Sequence, residues 1–98
     1  MKLTQTTNQN GTPVRFISGG RELRQYQGYW YICLTKAELA DWPGIHWHGY
    51  VLIHKYKYWL KYGEWYGRED AIYRYLDNDR DNIRITNIGV LLRTGEWL

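Results

Sequence analysis

Cysteine is nearly absent. Cys33 stands alone, so the chain can form no intramolecular disulfide and no zinc site built on paired thiolates. Its place in the apolar run 29–34 reads as a buried core thiol. No apolar run is long enough to span a bilayer and no signal-peptide pattern opens the sequence. A cytoplasmic protein without a membrane partner is therefore expected. Phenylalanine is missing apart from Phe16, and ten tyrosines and six tryptophans supply the rings instead. Such amphipathic rings can fill a thin core while keeping a hydroxyl or indole N–H for a partner, and they dominate interface hot spots. At 98 residues the chain reads as one small domain, near the lower end of what buries a useful core unaided.

The net charge of +3 hides an uneven distribution. Residues 1–35 carry Lys2, Arg15, Arg21 and Arg24 against Glu22. Residues 36–63 carry Lys36, Lys55, Lys57 and Lys61 against Glu38 and Asp41. Residues 64–98 hold five arginines against seven acids, a net of −2. Basic surface is thus expected ahead of the C-terminal third, which by itself would repel phosphate rather than attract it.

Local patterns predict an α+β fold with a small, mostly antiparallel sheet and one main helix. Residues 1–12 are polar and read as a loose arm or a short edge strand. Residues 14–17 are β-prone and are closed by Ser18, Gly19 and Gly20, a turn signal. Residues 25–34, rich in aromatic and β-branched side chains, read as a strand or hairpin with Gly28 at the bend. Thr35 followed by Glu38 has capping-box spacing and predicts a helical turn over 35–41, stopped by Trp42, Pro43 and Gly44. Residues 45–53 read as a strand, with His46, His48, Tyr50 and Leu52 on one face and Ile45, Trp47, Val51 and Ile53 on the other. From about residue 52 to residue 62 the spacing turns helical. Leu52, Ile53, Tyr56, Trp59 and Leu60 form its apolar stripe, Lys57 and Lys61 share the opposite face, and Gly63 is a natural stop. A second strand is expected over 71–77, a polar loop over 78–82, and a strand or short helix over 83–92.

Residues 49–88 read GYVLIHKYKYWLKYGEWYGREDAIYRYLDNDRDNIRITNI. The first half fits the pattern GYV-x-x-H-R-L-x-W followed by x-x-G-E-W, and the second fits x-H-H-I-N-G-D-R-x-D-N-R-I-x-N-L. The agreement rests on Gly49, Tyr50, His54, Trp59, Gly63, Glu64, Trp65, Asp79, Arg80, Arg84, Ile85 and Asn87. This stretch, about two-fifths of the chain, resembles a phage-type HNH nuclease domain, the His-Me finger or ββα-metal fold.

Such domains clamp one divalent metal in a hairpin followed by a helix, and a histidine on the first strand takes a proton from the attacking water. Aligning on Asp79, Arg80, Ile85 and Asn87 places Tyr75 at the general-base position. A phenol with a pKa of about 10 is a poor base near neutrality. Arg74 falls at the first metal-ligand position, where a guanidinium repels a cation rather than binding it. Ile83 replaces a loop asparagine, while Asn87 matches the asparagine that braces the hairpin. The family's last ligand falls near Glu96, two residues before the end of the chain, too late for a helix to hold it. The resemblance therefore implies a degenerate ββα element that has lost its base and its metal: not an enzyme, with no metal and no cofactor. Residues 45–98 then form the HNH-like core and residues 1–44 a β-rich N-terminal part.

A scaffold kept without its chemistry implies a surface kept for binding. The implied function is a phage-encoded protein that inhibits a host defence complex directed at nucleic acid, of the anti-CRISPR or anti-restriction type, through protein–protein contacts. The candidate binding residues are Lys55, Lys57, Tyr58, Lys61 and Tyr62 on the helix, and Arg74, Tyr75, Arg80 and Arg84 on the hairpin. Lysines interleaved with tyrosines also suit nucleic acid, the first holding phosphates and the second stacking on bases. Two alternatives follow: a DNA-binding accessory protein, and a divergent metal-dependent nuclease with His46, His48 or His54 as its base. His46 and His48 share a strand face as zinc ligands do, but no further ligand completes the set. Asp77, Asp79 and Asp81 imitate the start of a calcium loop, yet Asn82 and Ile88 stand where such a loop needs Gly and Glu.

Overall fold

A computed structural model describes residues 4–7 and 11–98. It has the expected α+β make-up, and the chain divides between Ile53 and His54 into two compact units. Among the described residues no helix is long and apolar enough to cross a membrane.

The first unit is built on a five-stranded antiparallel sheet whose spatial order is its chain order. Its strands are β1 (Thr4–Thr7), β2 (Pro13–Phe16), β3 (Glu22–Tyr26), β4 (Tyr29–Cys33) and β5 (Tyr50–Leu52). Leu23 pairs with Ile32, and Ile32 with Val51, so one buried row crosses three strands. With Trp30 these side chains form the core of the unit, each contributing about 1.5–3 kcal/mol by leaving water. Arg15 is buried as well, its guanidinium 4.9 Å over the Trp30 ring. The two-residue period that buries Trp30 and Ile32 turns Tyr29, Tyr31 and Cys33 to the other face. Cys33 is therefore exposed, not the core thiol its apolar surroundings suggest.

Residues 25–34 resolve as a hairpin. Gln27 and Gly28, at φ 52° and 82°, make the two-residue turn between β3 and β4. A second such turn overturns the strand expected over 45–53. Trp47 and Tyr50 exchange backbone hydrogen bonds of 3.0 and 2.8 Å around His48 and Gly49, whose φ values are 51° and 86°. Only Tyr50–Leu52 is strand. His46 and His48 do not share a strand face, and the His46 Nδ1 accepts the Gly49 N–H at 2.9 Å. Because β5 pairs with β4, residues 50–52 belong to the N-terminal sheet rather than to the C-terminal part with which the resemblance groups them.

The short helix α1 (Lys36–Asp41) carries the capping box its spacing predicts. The Thr35 hydroxyl accepts the Glu38 N–H at 3.2 Å, and the Glu38 carboxylate accepts the Thr35 N–H at 2.9 Å. Glu38 also takes a 3.0 Å ion pair from Arg21, which donates to the Cys33 carbonyl at 2.8 Å.

The second unit comprises all but the first residue of α2 (Ile53–Tyr62) and the antiparallel hairpin β6 (Ala71–Tyr75) with β7 (Ile88–Leu92). Gly63, at φ 70°, ends the helix and donates to the Trp59 carbonyl at 2.8 Å. Alternation along β6 places Ala71, Tyr73 and Tyr75 on one face, beside their partners Val90 and Ile88. His54 and Tyr58, one helical turn apart, pack there: ring centroids lie 5.6 Å apart for His54–Tyr73 and 5.8 Å for Tyr58–Tyr73. The helix thus buries His54, Tyr56 and Tyr58, whereas Leu60 of the expected stripe is 60% exposed. Polar-tipped rings that find partners displace an aliphatic side chain from the inward face.

On the opposite face of the hairpin, Gly89 leaves room for its neighbours. A Cβ there would come within 2.7 Å of Leu76 and 3.0 Å of the Trp97 ring. Residues 93–98 turn back along β7, with Leu98 donating to Val90 at 2.9 Å, and form no helix after the hairpin. The main helix of this unit precedes the hairpin instead.

Candidate functional site

Tyr75, the residue at the resemblance's base position, faces α2 and is only 8% exposed. Its hydroxyl lies 3.0 Å from His54 Nδ1, in a hydrogen bond whose direction follows the imidazole tautomer. Burial, and secondarily the charge of Lys55, push the His54 pKa from 6.5 down to about 3, so the ring stays neutral near pH 7. A buried, neutral imidazole engaged with a tyrosine is badly placed to activate water. Arg74 points the other way on β6, exposed and paired with Gly89. Arg74 and Tyr75 therefore share no site.

The loop 76–87 is held from within. Asn87 is buried; its Oδ1 accepts the Asp77 N–H at 3.0 Å, and its Nδ2 donates to Asp77 at 2.9 Å and to the Asn82 carbonyl at 2.8 Å. This is the bracing role expected of it. Asp77 accepts the Asp79 N–H at 2.8 Å, and Asp79 accepts the Asp81 N–H at 3.0 Å. These are Asx turns, which account for the alternating aspartates without a cation. The Asp77 carboxyl sits below its ordinary pKa, chiefly through the Asn82 amide. Ile83 is buried, and its carbonyl accepts Lys57 Nζ at 2.9 Å. Among the described residues no group of three His, Cys, Asp or Glu side chains is placed to hold a metal ion.

The nine candidate binding residues do not converge. Tyr58 and Tyr75 are buried and cannot act as exposed anchors or stacking platforms. Tyr58 packs 4.6 Å from Tyr62, and burial raises its pKa. Lys57 secures the 76–87 loop rather than facing solvent with Lys61. Lys55 is half-buried over the Trp65 and Tyr73 rings, at 5.8 and 5.5 Å. Lys61 and Tyr62 are exposed together at the helix end, with 5.6 Å between ammonium and ring. Arg80 and Arg84 are exposed on the loop. No continuous track for phosphates follows from these positions.

A concavity lies in the first unit, and none of its lining residues is among the nine candidates. A groove of about 430 Å³ is lined by Thr12, Arg24, Gln25, Tyr26, Tyr31, Trp47 and Tyr50. The face opposite the buried row supplies Tyr31 and Tyr50, since Tyr50 pairs with Cys33 two residues along β4. Tyr26 meets Tyr31 edge-on at 6.5 Å. The His48–Gly49 turn sets Trp47 opposite Tyr50, and Trp47 and Tyr26 are 71% and 65% exposed. Arg24 lies 5.6 Å from the Tyr50 ring and pairs with Glu22 at 3.1 Å. That hydrogen bond raises the Arg24 pKa and offsets the charge it brings to the groove. Burial raises the Tyr31 pKa, so its hydroxyl stays protonated and can donate to a ligand. The period-two aromatics of β4 were a usable signal; the turn that delivers Trp47 was hidden inside an apparent strand. In comparisons with known proteins, no family model, curated protein or solved structure matches this chain.

Proposed function

We propose that this protein is a non-catalytic binding protein, phage-encoded, that engages a protein of a host complex targeting nucleic acid and so inhibits it in the host cytoplasm. The observation that carries the binding reading is the groove with Trp47 and Tyr26 standing open to solvent. Its occupant is an uncharged, apolar stretch of the partner protein. The arginines of this unit are engaged within it: Arg15 over Trp30, Arg21 with Glu38 and Arg24 with Glu22. Rings with polar tips and an offset charge suit a protein interface better than a phosphate backbone.

The enclosed His54–Tyr75 pair and the outward Arg74 support the non-catalytic half of this reading. The choice of an anti-CRISPR or anti-restriction role rests on the HNH resemblance. Purified protein titrated into RNA-guided and restriction DNA-cleavage reactions tests it: inhibition is expected, and the Tyr26→Ala/Trp47→Ala double variant should lose it. Metal-dependent nicking of plasmid by the protein alone, abolished by EDTA, overturns the non-catalytic half. Tight, salt-sensitive DNA binding without any protein partner favours the accessory-protein alternative.

A further inference from the structure

Among the described residues, three hydrogen-bond donors of the second unit have no protein acceptor. The Lys55 ammonium lies between two rings, 5.8 Å from the Trp65 centroid and 5.5 Å from that of Tyr73. Among the described residues it makes neither an ion pair nor a hydrogen bond. The Trp65 indole N–H, on one of the rings that the ammonium covers, is shut from solvent and has no partner. Arg68 accepts Arg93 through its carbonyl, but its guanidinium is exposed and likewise unpartnered. Burial, and then the nearby Arg68 charge, lower the Lys55 pKa. Ring faces offset only part of an ammonium's desolvation, and a buried donor left unpaired is costly. The nearby acids do not meet this need. Glu64 accepts the Tyr66 hydroxyl, and Glu69 lies beside Gly67, where an added Cβ would meet its carboxylate at 2.8 Å.

We propose that Lys55 and Trp65, with Arg68 three residues further along the chain, form a receptor for a single oxyanion, a carboxylate or a phosphate group, which meets the ammonium and takes the indole N–H. One group rather than a chain of them is the ligand. Glu64, Glu69 and Asp70 stand in the same stretch, and residues 64–98 carry a net charge of −2. A polyanion is repelled there, whereas a lone oxyanion gains charge-assisted hydrogen bonds. The site is separate from the aromatic groove and does not depend on what that groove binds.

The test is a titration of the intact protein followed by proton–nitrogen NMR of the tryptophan indoles, with Trp65→Phe identifying the Trp65 resonance. Sodium acetate and inorganic phosphate are compared with sodium chloride at matched ionic strength. A saturable shift of the Trp65 indole with acetate supports the site with a carboxylate as ligand. A shift with phosphate alone supports it with a phosphate group. Lys55→Met should weaken the response about tenfold or more, and Arg68→Gln, at an exposed position, should weaken it several-fold without affecting folding. A shift that merely follows ionic strength, no shift with either anion, or a response unchanged in both variants overturns the proposal.

Discussion

His54 and Tyr75 stand 21 positions apart and meet at 3.0 Å, nitrogen to hydroxyl, with the Tyr73 ring beside them. The histidine is neutral when folded, with a pKa of about 3 against 6.5 for the free side chain. As pH falls, the unfolded chain therefore binds a proton before the folded one does. Stability from this group is complete above pH 6.5 and is lost as pH falls from there toward about 3. The slope is about 1.4 kcal/mol per pH unit well inside that window. Urea midpoints measured between about pH 7 and pH 4.5 should decline accordingly, and the decline should flatten in His54→Leu. Equal slopes for the two proteins would show that His54 is not the group responsible.

Tyr75→Phe removes the hydroxyl while keeping the ring. Leaving a buried imidazole nitrogen short of that contact should cost about 1–3 kcal/mol, read from the urea midpoint at constant m. Binding of a protein partner should be unchanged, because Tyr75 is only 8% exposed. A variant as stable as the parent contradicts the structural role.

Asn87→Asp is the sharpest test of the loop. The Asn87 Nδ2 donates to Asp77 and to the Asn82 carbonyl, so a carboxylate in its place sets acceptor against acceptor. A loss of about 3 kcal/mol or more is expected. Hydrogen exchange should quicken first at Leu76 and Asp77, whose amides both donate to Asn87. Unaltered protection at these two amides would refute the bracing role.

Gly49→Ala isolates the second hairpin turn. A Cβ would sit 3.5 Å from the Cys33 sulfur, an ordinary contact, so the penalty comes from the backbone at φ 86°. About 1–2 kcal/mol is expected. Since this turn sets Trp47 against Tyr50, partner binding should weaken as well; a stable variant with full binding argues that the turn does not shape the groove.

Trp47→Ala separates binding from folding. At 71% exposure its removal should change stability by no more than about 0.5 kcal/mol while lowering partner affinity about tenfold or more. Calorimetry on the variant and its complex reads both quantities, and a large loss of stability would recast Trp47 as a core residue.

Where local chemistry decides conformation, the sequence was readable. Thr35 and Glu38 specify their capping box whatever surrounds them, and the 3.6-residue spacing over α2 places that helix to within a residue of Ile53–Tyr62. Asn87 was readable through its motif. Errors arose where tertiary partners decide. His48 accepts a positive φ that a lone sequence does not announce, so a turn passed for a strand. Leu60 yields the inward face to His54 and Tyr58 because the latter meet tyrosines on β6, a pairing that helical periodicity alone does not encode. Lys57 reads as a solvated cation until Ile83 is brought beside it. The groove depends on three separate strands and a turn, which no single motif contains.

The strand order of the first sheet, identical to the order of synthesis, bears on how that sheet assembles. Each strand pairs with its predecessor, and the β3–β4 hairpin closes over just Gln27 and Gly28. Little chain entropy stands against the β3–β4 closure, so β1–β4 can zip outward from that hairpin on a fast timescale, whereas β5 joins only once residues 34–49 are gathered. The β6–β7 pair has no two-residue turn to start from and must first gather the 76–87 loop. Mutations at Asn87 should accordingly slow the folding rate of their unit, whereas changes in the groove rings leave the rate of the sheet intact.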